Sequence, residues 1–186
     1  MEMLAEALVP SVDENGVYSF NLALDNGAVP FIHLEDFGRY VNWIFENPPS
    51  YAGVDLCIGT THASGEDIAQ AFSEITGKPA VYTKITTAMR SSVAFAGLPD
   101  GPDAKVGFAT GLPTAALNQT FGENFENWWN LYKASAGNKG LIRKDYEFLN
   151  SILPDRLKSV KQWMKKTGYQ GEKKSVLKMH TSRRTE

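Results

Sequence analysis

The segment SGEDIAQAFSEITGKPAVYTKI, residues 64–85, joins a helix pattern directly to a strand pattern. Ser64 and, three residues later, Asp67 have the spacing of a capped helix N-terminus, and the Gly-Lys-Pro run 77–79 is a stop signal. The residues between these signals are apolar at helical spacing, at Ile68, Ala69, Phe72 and Ile75. The following run AVYTKI, residues 80–85, is typical of a strand. The segment therefore predicts a helix followed by a strand, the repeating unit of α/β proteins.

The residues before this segment extend the same alternation. Strands are predicted at residues 17–22, 29–34 and 54–58, each bounded by turn-forming residues. A helix is predicted over residues 36–45, with Asp36 as its N-cap. The order strand, helix, strand, helix, strand in the middle of the chain predicts the α/β fold class, with a sheet that is at least partly parallel.

Helical periodicity recurs at the N-terminus and through the second half of the chain. The predicted helical segments are residues 1–10 (the last turns of a helix), 87–95, 114–135, 143–153 and 159–167. With the strands, they predict a small mixed sheet followed by several helices. Residues 1–169 are predicted to form one domain, and residues 170–186 a basic, disordered tail.

Composition restricts the class of protein. The 186 residues are 42% hydrophobic and 22% charged, which is enough for one domain with a buried core. The one cysteine, Cys57, excludes an intrachain disulfide and lies in an apolar run, where burial is expected. One Cys and three His are too few for a zinc ribbon, so no metal is expected. Without a signal-peptide pattern or an apolar run of about 18 residues, we expect a protein of the cytoplasm or nucleus rather than the membrane.

Charge is unevenly distributed along the chain. Residues 1–135 carry 16 acidic and 6 basic residues, whereas residues 136–186 carry 5 acidic and 13 basic ones. Residues 136–186 either carry solvated lysines on helices followed by a frayed tail, or they form a surface that binds an acidic partner. No nucleic-acid-binding motif accompanies the charge, so direct binding of nucleic acid is not predicted.

The sequence contains no phosphate-binding loop. A dinucleotide-binding fold places a G-x-G-x-x-G turn between its first strand and first helix, and this pattern is missing. The nearest run, GTTHASG at residues 59–65, lacks that glycine spacing and the lysine of a P-loop. Tyr169 and Lys173 have the spacing of a catalytic Tyr-Lys pair, but Gly171 interrupts the helix that such a pair requires. No catalytic or cofactor-binding residue is predicted.

Two features are candidates for a substrate pocket. His33 ends a predicted strand, and open α/β sheets bind ligands at the carboxyl ends of their strands. Alternatively, His33 hydrogen-bonds the backbone of the turn. Residues 117–132 carry an aromatic stripe that includes Trp128, Trp129 and Tyr132. This stripe forms either part of the core or the wall of an apolar ligand pocket.

The order of these motifs resembles the NmrA-like family, in its fungal type. The resemblance covers about residues 1–171, and the run FSEITGKP is its most specific part. The stretches that carry it are VYSF (17–20), VPFIHLEDFGRY (29–40), AQAFSEITGKP (69–79), KDYEFL (144–149) and LKSVKQWM (157–164). The family belongs to the atypical short-chain dehydrogenases, which have an NAD(P)-binding Rossmann half and a C-terminal, substrate-side half.

The resemblance implies that the chain is the substrate-side portion of such a fold. It implies an NAD(P)-dependent oxidoreductase of fungal secondary or small-molecule metabolism, with His33, Trp128, Trp129 and Tyr132 facing the substrate. The implied cofactor, NADP(H) or NAD(H), belongs to the Rossmann half, whose Gly-rich loop this sequence lacks. A truncated chain, inactive by itself, is therefore expected. The alternative is a non-catalytic regulator that binds a transcription factor or another protein, as some family members do.

Overall fold

A computed structural model gives the fold of residues 1–48, 53–98, 100–106 and 119–176. Within these ranges the chain is a mixed α/β protein with a three-stranded mixed sheet, a two-stranded sheet and six α-helices. The strands are β1 (Ser11–Val12), β2 (Tyr18–Leu22), β3 (Val29–Phe31), β4 (Thr61–Ala63) and β5 (Ala80–Lys84). The α-helices are α1 (Leu34–Glu46), α2 (Gly65–Thr76), α3 (Thr87–Ala94), α4 (Phe121–Lys133), α5 (Tyr146–Ile152) and α6 (Val160–Thr167). Two 3₁₀ turns lie at Glu2–Ala5 and Gly101–Asp103.

Strand β2 is the centre of the larger sheet. It pairs antiparallel with β1 and parallel with β5, with Phe20 opposite Tyr82. Phe20 and Leu22 point into the core, while Ser19 points to the other face, where its hydroxyl lies 2.6 Å from that of Thr83. The alternation of side chains along a strand explains this pattern. The strands predicted at 17–22 and 80–85 are confirmed, as is the partly parallel pairing.

Helix α2 covers this sheet and begins and ends where its sequence predicts. Ser64 and Asp67 form a capping box, in which the Asp67 amide donates to the Ser64 hydroxyl at 3.1 Å and the Ser64 amide donates to the Asp67 carboxylate at 2.9 Å. Gly77 closes the helix with φ 72°, a conformation that favours glycine. Phe72 is fully buried, with its ring centroid 5.5 Å from that of Phe20.

Helix α6 packs on α2 and completes the core. Ser159 caps it, and Val160, Trp163 and Met164 are buried, as the sequence predicts. The chain then turns at Gly168 into Tyr169, whose ring lies 5.4 Å from that of Trp163.

Carbonyl groups of the N-terminal segment, residues 1–8, are bound by donors from distant parts of the chain. The Tyr169 hydroxyl donates to the Leu4 carbonyl at 2.6 Å, and the Lys174 amide donates to the Ala5 carbonyl at 2.6 Å. The Arg90 guanidinium donates to the Ala7 carbonyl. The prediction of α-helical turns over residues 1–10 is therefore wrong, because these carbonyls accept from remote groups and only a 3₁₀ turn forms.

The strand predicted at 54–58 is also wrong. Residues 54–59 have no regular structure, and the strand lies further along, at β4, which pairs antiparallel with β3. The Thr60 amide donates to the Phe31 carbonyl at 2.7 Å, so this pairing begins only after Gly59. Cys57, expected to be buried, is exposed in the irregular segment.

Helix α1 starts earlier than its sequence predicts. His33, not Asp36, is its N-cap residue, and the strand predicted at 29–34 ends at Phe31. Asp36 is buried, and its carboxylate accepts from the Leu157 amide at 3.0 Å and from Arg39 at 3.2 Å. The carboxylate is thus used in a contact between distant segments, which no local pattern reveals.

The remaining helices agree with their predicted positions within a few residues. For the helix predicted at 114–135, residues 114–118 lie outside the described residues, and α4 begins at Phe121. Residues 177–186 of the predicted disordered tail also lie outside them. In the part of the chain that the structure describes, no helix has the length and apolarity needed to cross a bilayer.

The turn before β3 approaches the C-terminal end of α4 very closely. The Ala28 amide donates to the Tyr132 carbonyl at 3.2 Å. A Cβ atom at Gly27 would lie 2.4 Å from both the Lys133 Cα and the Tyr132 carbonyl oxygen. Since these are backbone atoms, only glycine allows the two segments to meet here.

We predict that Gly27→Ala destabilises the protein by about 1–3 kcal/mol, because the turn and α4 must move apart. Gly38→Ala is the matched control: it lies inside α1 with no atom near the added methyl group. It should stabilise the protein by roughly 0.5–1 kcal/mol through helix propensity. Urea unfolding measures both changes. Equal effects of the two substitutions would contradict the role given to Gly27.

Candidate ligand-binding cavity

A cavity of about 450 Å³ lies between the N-terminal segment, β3, α3 and α4. Residues 29–32 line it, and α3 contributes Arg90, Val93 and Ala94. Four aromatic residues of α4 also line it. A cavity of this size, bordered by aromatic rings and a few polar groups, has the properties of a small-molecule site.

The aromatic wall of α4 consists of Phe125, Trp128, Trp129 and Tyr132. The spacing of these residues places all four on adjoining faces of one helix. The ring of Trp129 packs edge-on against both Phe125 and Tyr132, with centroids 5.9 Å apart in each pair. Trp129 is 3% exposed and Trp128 is 51% exposed, so one indole is fixed in the core and half of the other is open to solvent.

The sequence positions this wall in two ways. Thr120 and Glu123 form a capping box that starts α4, with the Thr120 amide donating to the Glu123 carboxylate at 2.7 Å. The ring of Phe95, at the end of α3, lies 5.1 Å from that of Phe125. The two helices therefore meet through aromatic contacts beside the cavity.

The structure brings Trp128, Trp129 and Tyr132 together on the cavity wall and places His33 outside it. The His33 ring is buried, with Nδ1 2.6 Å from a carboxylate oxygen of Glu2 and Nε2 3.4 Å from one of Glu35. The neighbouring residue Ile32 lines the cavity instead.

Glu2 is the residue that fixes His33. Burial by itself raises the pKa of Glu2, but the Met1 ammonium and hydrogen bonds from the backbone and His33 outweigh it and lower the pKa to about 2. An ionised Glu2 therefore holds the His33 ring against the start of α1. The contact between His33 and Glu2 therefore helps to dock the N-terminal segment on the start of α1.

Arg90 is a lining residue that the sequence analysis missed. It is 9% exposed, and its guanidinium donates to the Ala7 carbonyl. Burial lowers the pKa of Arg90. A single arginine in a short polar helix gives no sequence signal, because its burial depends on the N-terminal segment that folds over it.

His62, in β4, is another residue with a perturbed pKa. Its Nε2 lies 3.0 Å from the Ile142 carbonyl, and its Nδ1 lies 2.7 Å from the Tyr146 hydroxyl. Burial raises the pKa of Tyr146 to about 12, so the hydroxyl keeps its proton and donates to Nδ1, while Nε2–H donates to the carbonyl. Burial also lowers the pKa of His62. The two ring nitrogens thus hold the first residue of α5 and the segment before it against β4.

We predict that His62 makes the protein less stable in mild acid. Folding lowers the pKa of His62 below its ordinary value of 6.5. As the pH falls through that value, His62 is therefore protonated more readily in the unfolded chain than in the folded protein. The free energy of unfolding should therefore decrease from pH 7 to pH 5, and decrease less in His62→Gln, whose amide stays neutral. Urea unfolding at several pH values measures this. An identical pH dependence in both proteins would contradict the assignment.

The loop 59–65 does not fit the pyrophosphate of a dinucleotide. The N-terminus of α2 already carries the Asp67 carboxylate of its capping box, which would repel a phosphate. A Cβ at Gly65 would lie 2.3 Å from the Tyr82 ring, so the space beside this glycine is filled. Arg156 donates to the carbonyls of Gly59 and Thr60 at 3.3 and 2.9 Å.

Among residues 1–48, 53–98, 100–106 and 119–176, no cluster of three or more His, Cys, Asp or Glu is arranged for a metal ion.

No protein-family model and no curated protein matches the chain. The NmrA-like resemblance therefore stays a prediction, and the cavity is the feature of the molecule that bears most directly on function.

Proposed function

We propose that the chain binds a small, largely apolar molecule in the cavity, as the substrate-side part of an NmrA-like, NAD(P)-dependent oxidoreductase. The observation that carries the proposal is the aromatic wall, where Phe125, Trp128, Trp129 and Tyr132 face one cavity. Flat apolar molecules gain both buried area and ring contacts on such a wall. The oxidoreductase part rests on the sequence resemblance.

Two properties of the wall suit it to substrate binding. Trp129 is held by packing and needs no rearrangement, which reduces the entropy cost of binding. Burial raises the pKa of Tyr132, although a hydrogen bond with Trp128 opposes this, so the Tyr132 hydroxyl is protonated at neutral pH. Tyr132 is therefore a hydrogen-bond donor for a carbonyl or hydroxyl oxygen of the ligand.

We propose no dinucleotide site in the described part of the fold. Since the loop 59–65 does not fit a pyrophosphate, the contribution that we propose for the described residues is binding and orienting the substrate. The dinucleotide, which supplies hydride chemistry in this family, is assigned to a separate Rossmann half.

A regulatory protein that binds a protein partner is the second candidate. Helix α1 favours it, because Leu34, Phe37 and Ile44 are exposed and recur on one face of that helix. An unpartnered apolar face of this kind is typical of a protein interface. A regulator would use this face of α1 and would not require a ligand in the cavity. An experiment that measures ligand binding therefore separates the regulator from the substrate-binding protein.

We predict that the chain binds N-phenyl-1-naphthylamine, a neutral aromatic probe whose fluorescence rises in apolar sites. Trp128→Ala should weaken this binding by about tenfold, because it removes one ring of the wall. Trp128 is half exposed, so the variant is expected to fold. Phe45→Ala is the control, since Phe45 is an exposed aromatic residue of α1 away from the cavity. Failure of the probe to bind, or equal effects of both substitutions, would refute the proposed function.

A further inference from the structure

Arg90 is a buried cation whose hydrogen bonds are incomplete. It lies in the middle of α3 and is 9% exposed. One terminal nitrogen donates to the Ala7 carbonyl, whereas Nε is buried and has no hydrogen-bond partner in the described residues. A guanidinium has five N–H donors in a planar fork, so beside the hydrogen bond to Ala7 it has donors left for a ligand.

The charge of Arg90 is also uncompensated within the described part of the chain. It takes part in none of the ion pairs formed there, which join other groups at 2.5–3.4 Å. A buried charge without a counter-ion is costly. Since Arg90 lines the cavity, an anionic group entering the cavity would supply the missing counter-charge and accept from the guanidinium.

Three other charged groups border the cavity and affect which ligand charge it favours. The Met1 ammonium is already bound by Glu2 and by the Ile32 carbonyl. Glu6 has a buried carboxylate oxygen without a hydrogen-bond partner in the described residues, and Lys173 is an exposed amine at the rim. Arg90 and Lys173 together outweigh Glu6, so the cavity favours an anion, while Glu6 suits a hydroxyl donor on the same ligand.

We propose that the ligand is an amphipathic aromatic anion. Its flat apolar body lies against Trp128 and Trp129, and its acidic group, a carboxylate or a group of the same charge, is bound by the guanidinium of Arg90. This inference rests on the proposed function, since it assigns the chemical class of the molecule that the cavity takes. It adds Arg90 as the residue that selects the charge of the ligand.

Two probes that differ by one acidic group test the inference. The anion 8-anilino-1-naphthalenesulfonate has the ring system of N-phenyl-1-naphthylamine with a sulfonate added. Wild-type protein should bind the sulfonate at least about tenfold more tightly than the neutral probe, in line with a charge-assisted hydrogen bond. Arg90→Met should abolish this preference, because it weakens binding of the sulfonate far more than binding of the neutral probe. Arg143→Met is the control, because Arg143 is an exposed arginine that donates to the Gly140 and Lys139 carbonyls and does not line the cavity in the described structure.

Additional variants keep the result decisive if Arg90→Met fails to fold. Arg90→Lys retains a cation without the planar fork and should keep part of the preference. Trp128→Ala should weaken binding of both probes, which places them in the cavity. No preference in the wild-type protein, or an equal preference in Arg90→Met, overturns the inference while leaving the proposed function intact. Binding of the neutral probe that is insensitive to Trp128→Ala overturns the proposed function itself.

Discussion

The rest of the structure depends on hydrogen bonds to the N-terminal segment. Three carbonyls within four residues, those of Leu4, Ala5 and Ala7, accept from donors far along the chain. Tyr169 brings the end of α6 to this segment, and Arg90 brings α3. The segment therefore joins the α2–α6 core to the α3–α4 pair, and it forms one side of the cavity.

This arrangement explains how an aromatic cavity remains open in a small domain. The wall on α4 is held by Phe95 from α3, and the turn at Gly27 fixes the C-terminal end of α4 against β3. Because each side of the cavity is attached to a different part of the core, the other sides cannot close onto the aromatic wall without breaking buried contacts. The cavity is a product of tertiary structure.

The sequence predicted those parts of the fold that are determined locally. Helices α2 and α6 were predictable because their caps and stop glycines act within one turn, at Ser64 and Gly77 and at Ser159 and Gly168. The position of β4 and the N-cap of α1 were not predictable, since both depend on partners distant in sequence. Phe31 pairs with Thr61 of β4, and the Asp36 carboxylate accepts from the Leu157 amide. The aromatic wall was predictable from its helical spacing. Arg90 was not, because its burial requires the docked N-terminal segment.

The irregular segment before β4 has a practical consequence. Cys57, the single cysteine of the chain, is exposed there and does not line the cavity. A maleimide reagent would therefore attach one dye per molecule at a known position, with the aromatic wall left intact. Energy transfer from the tryptophans to such a dye would follow unfolding of the protein without any engineered thiol.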